Sequence, residues 1–203
     1  MPKISDERRA ARRAQILEAA WTCFQREGLH ATTMDDIIRA SGLSAGAVYS
    51  YFPSKEELIH AAVTTSLGGL GELMAPVFAS RPLPPPEVFV GQVTEMIAGF
   101  TVRETYDLRR IALLGWSEAQ RNERLRETMR DFYRAFRDRL ELAAEEWRAA
   151  GRLPADSAPP DVAKAILATI LGFVVESAIL GDVSPADLAA GLRGLTAPPE
   201  SRA

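Results

Sequence analysis

Between Thr33 and Lys55 the sequence combines hydroxyl groups, two tyrosines and a lysine with residues that have almost no side chain. Hydroxyl and ammonium groups donate hydrogen bonds to phosphate oxygens, and an alanine or glycine lets a helix backbone come close to the edges of stacked bases. These residue types favour binding of a nucleic acid over catalysis. The outward-facing candidates for such contacts are Ala45, Gly46, Tyr49 and Ser50, together with Lys55.

Capping and turn residues divide this stretch into two short helices. Thr33 can cap a first helix, Gly42 can end it in the left-handed conformation that glycine tolerates, and Ser44 can cap a second helix over about 45–51. Apolar residues of the first helix fall at i, i+3 and i+4, so they share one buried face. Two short helices joined by a glycine turn form a helix-turn-helix, whose second helix enters the major groove of DNA.

The second helix has an inward and an outward side. Val48 and Phe52 are suited to packing inward, whereas the outward residues are small and mostly uncharged. The hydroxyl of Tyr49 can reach a phosphate oxygen, and an alanine methyl can contact a thymine methyl. The alternative is an ordinary helical hairpin in a core, but such a hairpin would not expose a tyrosine beside alanine, glycine and serine.

The segment Gly42–Leu58 ends in the pattern Tyr-x-Tyr-Phe-x-x-Lys-x-x-Leu. This pattern resembles the DNA-binding signature of TetR-family transcriptional regulators, and the resemblance extends over residues 8–60. It implies phosphate contacts from Thr33, Ser44, Tyr49 and Lys55, and base contacts or close approach to bases from Ala45, Gly46, Ala47, Ser50 and Tyr51. Ala45 and Ala47 stand where relatives commonly have a lysine, a proline or a hydroxyl residue, so this helix offers few hydrogen bonds to bases.

Overall charge is negative, but positive charge is concentrated at one end. The 203-residue chain has a formal net charge of −3 and a pI near 5.5. The first thirteen residues contain five basic side chains: Lys3, Arg8, Arg9, Arg12 and Arg13. Such an arm can contact phosphates or enter a minor groove, and we expect Arg8 and Arg9 to be disordered without DNA. The alternative is a solvated, frayed terminus.

The composition is that of a cytoplasmic protein with a buried core, at 47% hydrophobic and 25% charged residues. The single cysteine, Cys23, excludes an internal disulfide framework and fits a buried position. No apolar stretch follows the basic start, so we expect no secretory signal. The most apolar window, 162–180, is interrupted by Lys164 and Glu176, which favours a buried or interfacial helix over a membrane span.

The rest of the chain predicts further helices and no strand, so the predicted fold is all-α. A helix beginning at Ser54, with Glu57 completing a capping box, runs to the region before Pro76. Consecutive prolines within 81–86 form a stiff connector, and helices follow at about 87–102, 104–118, 121–150, 160–180 and 185–195. The expected domains are a three-helix DNA-binding head (1–53), a connecting helix (54–80) and a helical ligand-binding and dimerisation bundle (81–203).

The last two helices have more apolar residues than one end of a small bundle can bury. We therefore expect a homodimer through a four-helix interface, as the resemblance also implies, with two heads meeting a pseudo-palindromic operator. The alternative is a core within one chain. The predicted interface residues are Ile166, Ile170, Val174, Leu188 and Leu192.

Aromatic and apolar residues of the bundle predict a cavity for a small-molecule effector. The predicted lining is Met96, Phe100, Trp116, Phe132, Phe136, Phe173 and Glu176. Aromatic residues at helical spacing are also typical of an ordinary core. A carboxylate such as Glu118 or Glu176 inside an apolar face needs a partner, which is either a cationic or hydrogen-bond-donating ligand or an arginine across the dimer.

The sequence contains no recognisable catalytic motif. Its two histidines, His30 and His60, are far apart, and no cluster of His, Cys and carboxylates has metal-ligand spacing. We therefore expect no enzyme activity, metal or cofactor. The predicted function is a dimeric, ligand-responsive DNA-binding regulator, most simply a repressor that a small molecule releases from its operator. The alternative is a helical dimeric small-molecule-binding protein whose head has lost useful affinity for DNA.

Overall fold

The computed structural model describes residues 6–102 and 105–196. This part of the chain is helical, apart from one isolated bridge between Val102 and Asp107, which confirms the predicted all-α class. The helices are α1 (Asp6–Ala31), α2 (Met34–Ser41), α3 (Ala45–Tyr51), α4 (Lys55–Ala79), α5 (Pro86–Thr101), α6 (Leu108–Glu118), α7 (Glu123–Ala149), α8 (Pro159–Ile179) and α9 (Pro185–Thr196).

Helix α1 covers the helix-turn-helix with a buried apolar stripe. Ile16 and Ala20 are fully buried, and Cys23 is 1% exposed. Gly28 interrupts the helical geometry with φ 81°, which matches the predicted stop, although one more turn follows. The helix begins at Asp6, so Arg8 and Arg9 are helical, contrary to the expected disorder. The first turn contains acidic residues, which stabilise the N-terminus of a helix. Counting the basic and acidic residues of this segment did not reveal that stabilisation.

The expected caps of α2 and α3 are present. The Thr33 hydroxyl accepts from the backbone N–H of Asp36, and the Asp36 carboxylate accepts in return from the Thr33 N–H, which forms a capping box. Gly42 ends α2 with φ 67°, and Ser44 accepts from the N–H of Ala47 at the start of α3. Local chemistry therefore fixes both ends of the helix-turn-helix.

Helix α4 differs from the prediction at both ends. Ser54 caps it by accepting from the N–H of Glu57, but the Glu57 carboxylate pairs with Arg124 instead of completing a capping box. The helix also continues past Pro76 to Ala79. Burial of Met74 and Val77, on either side of the proline, stabilises the last turns enough to offset the lost hydrogen bond.

The chain forms two compact units, whose boundaries differ from the three-part division expected from the sequence. The first contains the described residues of Met1–Gly68 and Val102–Thr128, so α6 groups with the DNA-binding head. Contacts with α1 explain this grouping: the Trp21 and Tyr106 rings lie 5.4 Å apart, and the Gln25 side chain accepts from the N–H of Asp107. The second unit contains Gly69–Thr101 and the described residues from Met129 onward.

An aromatic cluster forms the core of the second unit. The Phe78 ring lies 5.1 Å from Phe89 and 5.5 Å from Phe136, both edge-on, and Phe89 lies 5.3 Å from Trp147. The indole N–H of Trp147 donates to the carbonyl of Pro84. This bond ties the proline-rich connector to the long helix α7.

Helix α8 is long and apolar enough to cross a membrane, with a mean hydropathy of 1.9 over its most apolar window. Only a third of that window is buried inside the single chain, and core helices of water-soluble proteins can pass the same test of length and hydropathy. Its inner side includes Ala163 and Phe173, which are 0% and 1% exposed. The sequence pattern could not separate two apolar sides because the helix is apolar almost all round.

Candidate nucleic-acid interface

Helix α3 presents a small exposed surface backed by a fully buried valine. Val48 is 0% exposed and Phe52 is 3% exposed, so both face the core as predicted. Tyr51 is half-buried. We define the recognition surface as the predicted α3 residues on the other side, which are exposed except for half-buried Ala47: Ala45, Gly46, Ala47, Tyr49 and Ser50.

The hydroxyl groups around the recognition surface are partly engaged within the protein. Ser50 Oγ donates to the carbonyl of Ala47 at 2.6 Å, so its only donor is used and it is left as an acceptor. Ser44 Oγ accepts from the N–H of Ala47, which leaves its own O–H able to donate to a phosphate. Thr33 Oγ1 donates to the Asp36 carboxylate at 2.6 Å, a bond that holds the pKa of Asp36 below its usual range.

Gly46 lies in an open part of the recognition surface. A Cβ built on this glycine meets no atom within 4 Å, and its backbone has ordinary helical geometry. The fold therefore does not require glycine here, although glycine weakens a helix by about 0.5–1 kcal/mol relative to alanine. Because glycine has no side chain, the backbone of α3 is accessible from outside the protein at this position.

Lys55, a predicted phosphate contact, is anchored inside the first unit. Its ammonium group donates to the carbonyls of His30 at 2.9 Å and Thr32 at 3.0 Å. These bonds use two of the three ammonium donors and join the start of α4 to the turn before α2. The structure therefore gives Lys55 an anchoring role that the sequence pattern did not reveal.

Two residues of α1 also hold the helix-turn-helix. Gln15 donates to the carbonyl of Ser41, the last residue of α2, at 2.7 Å. The Arg13 guanidinium lies 5.6 Å from the centre of the Phe52 ring, just after α3. Lys3 of the predicted basic arm lies outside the described residues.

A polar cluster at the end of α6 was not recognised in the sequence as a unit. The Glu118 carboxylate lies 3.2 Å from His30 Nε2 and accepts from Arg121 Nε at 3.1 Å, and the Arg121 guanidinium also contacts the His30 ring. The Glu118 side chain is only 13% exposed. The only available sequence signal was an isolated carboxylate on an apolar helix, because His30 and Glu118 lie 88 positions apart.

A second group of contacts within the first unit joins the start of α7 to α4. His60 Nε2 lies 3.0 Å from Thr128 Oγ1, and Arg124 pairs with Glu57. Burial, followed by the nearby Arg124 charge, lowers the pKa of His60 below its usual 6.5. Among the described residues, no group of three or more His, Cys, Asp or Glu side chains is arranged to hold a metal ion.

The predicted effector residues are divided between the two units. Trp116 belongs to the first unit, and the other six belong to the second. There, Phe100 and Phe132 lie against Gly69 and Gly71 of α4, since a Cβ added at these glycines would meet the rings at 3.0 and 3.5 Å.

The remaining members of that set differ widely in exposure. Phe136 and Phe173 are buried, at 6% and 1% exposed, whereas Glu176 is exposed. Met96 lines an open groove of about 710 Å³ formed by the end of α4, α5 and α9. The members of this set therefore range from buried to exposed positions.

The predicted interface residues on α8 face the protein's own core. Ile166, Ile170 and Val174 are 8%, 3% and 8% exposed in the single chain. Leu188 and Leu192 on α9 are half-buried. Small and aliphatic residues form an exposed or half-exposed strip on the opposite side of α8, next to the exposed charged residues Lys164 and Glu176. We call it the outer α8 face: Ala165, Ala168, Gly172, Val175 and Ile179.

The sequence matches two family models. Residues 16–62 match the model of bacterial regulatory proteins of the tetR family. Residues 93–195, which are 103 of the 203 residues, match the model of the C-terminal part of BetI-type transcriptional repressors. The chain belongs to the TetR family. The expectation drawn from the Gly42–Leu58 segment is confirmed, and this TetR-family protein is a helix-turn-helix transcriptional regulator.

Curated relatives of this TetR-family protein align over only part of their length. An HTH-type transcriptional repressor from Mycobacterium tuberculosis is 32% identical over 127 residues, which cover 58% of this chain and 63% of the repressor. The chain thus spans less than two thirds of that relative, and it spans smaller shares of several others.

Solved structures of similar fold align over nearly the whole chain. Salmonella enterica GusR is 27% identical, with a TM-score of 0.71 and coverage of 96% of this chain and 98% of GusR. A transcriptional regulator from Saccharomonospora viridis, solved in complex with choline, has a TM-score of 0.74 at 20% identity, with coverage of 92% and 95%. This second likeness concerns the fold alone.

Proposed function

We propose that this TetR-family protein is a cytoplasmic repressor without enzyme activity. It binds a pseudo-palindromic operator as a homodimer and is released by a small molecule. The observation that carries the DNA-binding part is the recognition surface. It combines an exposed tyrosine with small residues on a helix fixed from behind by a fully buried valine. A rigid helix with an open outer side is suited to the major groove.

The recognition surface supports a base readout dominated by methyl contacts. Ala45 and Ala47 offer methyl groups, Gly46 offers its backbone, and Ser50 has no donor left for a base. Alanine methyls contact the C5 methyl of thymine, whereas they cannot discriminate by hydrogen bonding. We therefore expect thymines at the operator positions that face the start of α3.

Phosphate contacts come from groups beside the recognition surface. The hydroxyl of Tyr49 projects from a side chain that is 45% exposed, and the free O–H of Ser44 lies at the first turn of α3. The Thr33 O–H already donates to Asp36, so a phosphate contact from Thr33 requires that bond to be exchanged. Lys55 has a third ammonium donor in addition to its two internal hydrogen bonds, and we assign it to a phosphate. These contacts set the register on DNA without reading sequence.

The outer α8 face supports the homodimer. Small residues let two helices approach closely, and Ile179, which is 66% exposed, adds apolar area at one end. This face replaces Ile166, Ile170 and Val174 as the proposed core of the interface, while Leu188 and Leu192 remain its proposed α9 part. Two α8 helices packed in this way bury the apolar surface without a membrane.

The effector site is proposed inside the second unit. The Ser177 hydroxyl is buried there with no hydrogen-bond partner among the described residues, and a buried polar group of this kind fits a ligand contact. Phe173 precedes it by one helical turn on the same buried side. A regulator of similar fold was solved in complex with choline, which supports the proposal of a small-molecule effector.

The proposed release mechanism is a population shift. An effector in the bundle favours a position of α4 in which the two heads no longer fit successive major grooves. In this scheme residues 1–53 read DNA, 54–80 connect, and 81–203 bind the effector and the partner subunit, even though α6 groups physically with the head.

Selection of bound duplexes from a random pool tests the proposal, using the purified full chain without added ligand. We expect one inverted repeat, and replacing thymine by deoxyuridine at its conserved positions should weaken binding. Each lost methyl contact costs about 0.8 kcal/mol, or roughly fourfold in affinity. A folded dimer that recovers no motif would instead favour the alternative, a small-molecule-binding protein with a degenerate head.

A further inference from the structure

The turn between α1 and α2, residues 28–33, is held by several side chains of the first unit. Thr32 Oγ1 donates to the carbonyls of Gly28 at 2.7 Å and Cys23 at 3.2 Å. Lys55 donates to the carbonyls of His30 and Thr32 from the start of α4. Because Thr33 caps α2, the position of this turn sets where the helix-turn-helix begins.

His30 connects this turn to α6. Its carbonyl oxygen accepts from Lys55, and its ring contacts Glu118 at 3.2 Å and the Arg121 guanidinium. The Glu118 side chain is 13% exposed and the His30 side chain is 62% exposed, so this contact is shielded from solvent on the Glu118 side only. His30 therefore joins the turn before α2 to α4 through its backbone carbonyl and to α6 through its ring.

We propose that Glu118 is a positioning residue for operator binding, acting through His30 on the turn that precedes α2. This inference rests on the proposed function. A carboxylate repels phosphates, so Glu118 contributes nothing favourable by contacting DNA itself. It ties α6 directly to the helix-turn-helix, by a route that does not run along α4.

Electrostatics and positioning predict opposite signs for removal of this charge. Neutralising a carboxylate in a DNA-binding unit strengthens binding, because it removes a repulsion from the phosphates. Loss of a positioning contact weakens binding, because more of the free protein has a misplaced recognition helix. The sign of the affinity change in Glu118→Gln therefore separates the two effects.

Glu123 provides a matched control. Its side chain is 77% exposed and pairs with Arg126 within the first turn of α7, in the same unit. Glu123→Gln removes the same charge close in sequence but breaks no contact with the α1–α2 turn. His30→Ala provides a second variant that keeps the core intact, because the His30 side chain is 62% exposed.

The first measurement is affinity for the duplex recovered from the random pool, over a series of salt concentrations. We expect Glu118→Gln and His30→Ala each to weaken binding by about threefold to tenfold, and the double variant to bind no more weakly than either single variant. Glu123→Gln should bind equally or more tightly. The salt dependence should stay unchanged in His30→Ala, since that variant loses no phosphate contact.

The second measurement is amide hydrogen exchange over α2 and α3, which needs no operator. Exchange should accelerate in Glu118→Gln but not in Glu123→Gln. Binding by Glu118→Gln that is as tight as wild type, together with unchanged exchange, overturns the proposal. If the pool yields no motif while exchange still accelerates, the proposed function fails and the positioning of the turn by Glu118 is supported.

Discussion

The recognition surface on α3 and the outer face of α8 both expose small residues, but their neighbours differ. Ala45, Gly46 and Ala47 lie among Tyr49 and hydroxyl groups, whereas Ala165, Ala168 and Gly172 lie beside Val175 and Ile179. Small residues permit close approach in both places. The flanking side chains determine the partner: hydroxyl groups suit a hydrated polyanion, and aliphatic groups suit another protein surface.

The largest expected effect comes from placing a charge on the outer α8 face. Ala168→Glu brings two like charges together across a two-fold interface, which costs several kcal/mol and should convert the dimer to monomer. Operator affinity should fall by about a hundredfold or more, because each head then binds alone. Sedimentation gives the oligomeric state, and Ala135→Glu on the exposed side of α7 is the control. A dimeric Ala168→Glu variant would exclude this face as the interface.

On the recognition surface, Tyr49→Ala should weaken operator binding by about tenfold. It removes a phosphate hydrogen bond and the aromatic contact area, together about 1–2 kcal/mol. Fluorescence anisotropy with a labelled operator measures the loss, and Tyr49→Phe isolates the share of the hydroxyl. Stability should not change, because the side chain is 45% exposed. Unchanged affinity in both variants would remove Tyr49 from the interface.

Lys55→Met should lower both the affinity and the salt dependence of operator binding. A lost phosphate contact reduces the slope of log K against log salt by about 0.9. Loss of the two hydrogen bonds from Lys55 to backbone carbonyls weakens operator binding further, and this contribution to the affinity does not depend on salt. Binding titrations at four or more salt concentrations separate the two contributions. A weaker affinity with an unchanged slope would leave Lys55 with the anchoring role alone.

Gly46→Ala should change stability and binding in opposite directions. The added methyl meets no protein atom within 4 Å and improves helix propensity, so the free energy of unfolding should rise by up to about 1 kcal/mol. Operator affinity should fall severalfold, because the methyl occupies space next to the bases. Urea unfolding and anisotropy on the same sample test both. Equal or tighter operator binding would show that α3 does not approach DNA closely at this position.

The smallest expected effect concerns His60. Its pKa is lowered in the folded protein, so the unfolded chain takes up a proton at a higher pH than the folded one. The stability from the neutral ring is fully present above pH 6.5 and is lost as pH falls below that value toward the lower folded pKa. Urea midpoints between pH 7.5 and 5.5 should therefore fall more for wild type than for His60→Gln. Equal slopes would contradict a half-buried, neutral His60.

The sequence predicted the helix-turn-helix well because its boundaries are set locally. Thr33, Gly42 and Ser44 each act within four residues of their own position, so chain order contains the necessary information. The grouping of α6 with the head and the contact between His30 and Glu118 depend on tertiary packing. The hydrophobic periodicity of a sequence cannot indicate a contact between residues so far apart in the chain.

The two sides of α8 show a different limit. Ile166, Ile170 and Val174 were predicted at the interface because they are apolar, and the structure buries them in their own chain. Where a helix is apolar nearly all round, hydrophobic spacing cannot show which side meets which neighbour. Side-chain size distinguishes the two sides, since the outer face carries the alanines and the glycine, and this is the basis for proposing that face as the interface.

The open space around Gly46 has a practical consequence for engineering. A regulator can be retargeted only at positions where the core tolerates change, and an added Cβ at Gly46 contacts nothing in the protein. Substitutions at this single position are therefore expected to change operator preference more than folding. Pairs of variants and operators that do not cross-react can be sought there, which would yield independent genetic switches from one scaffold.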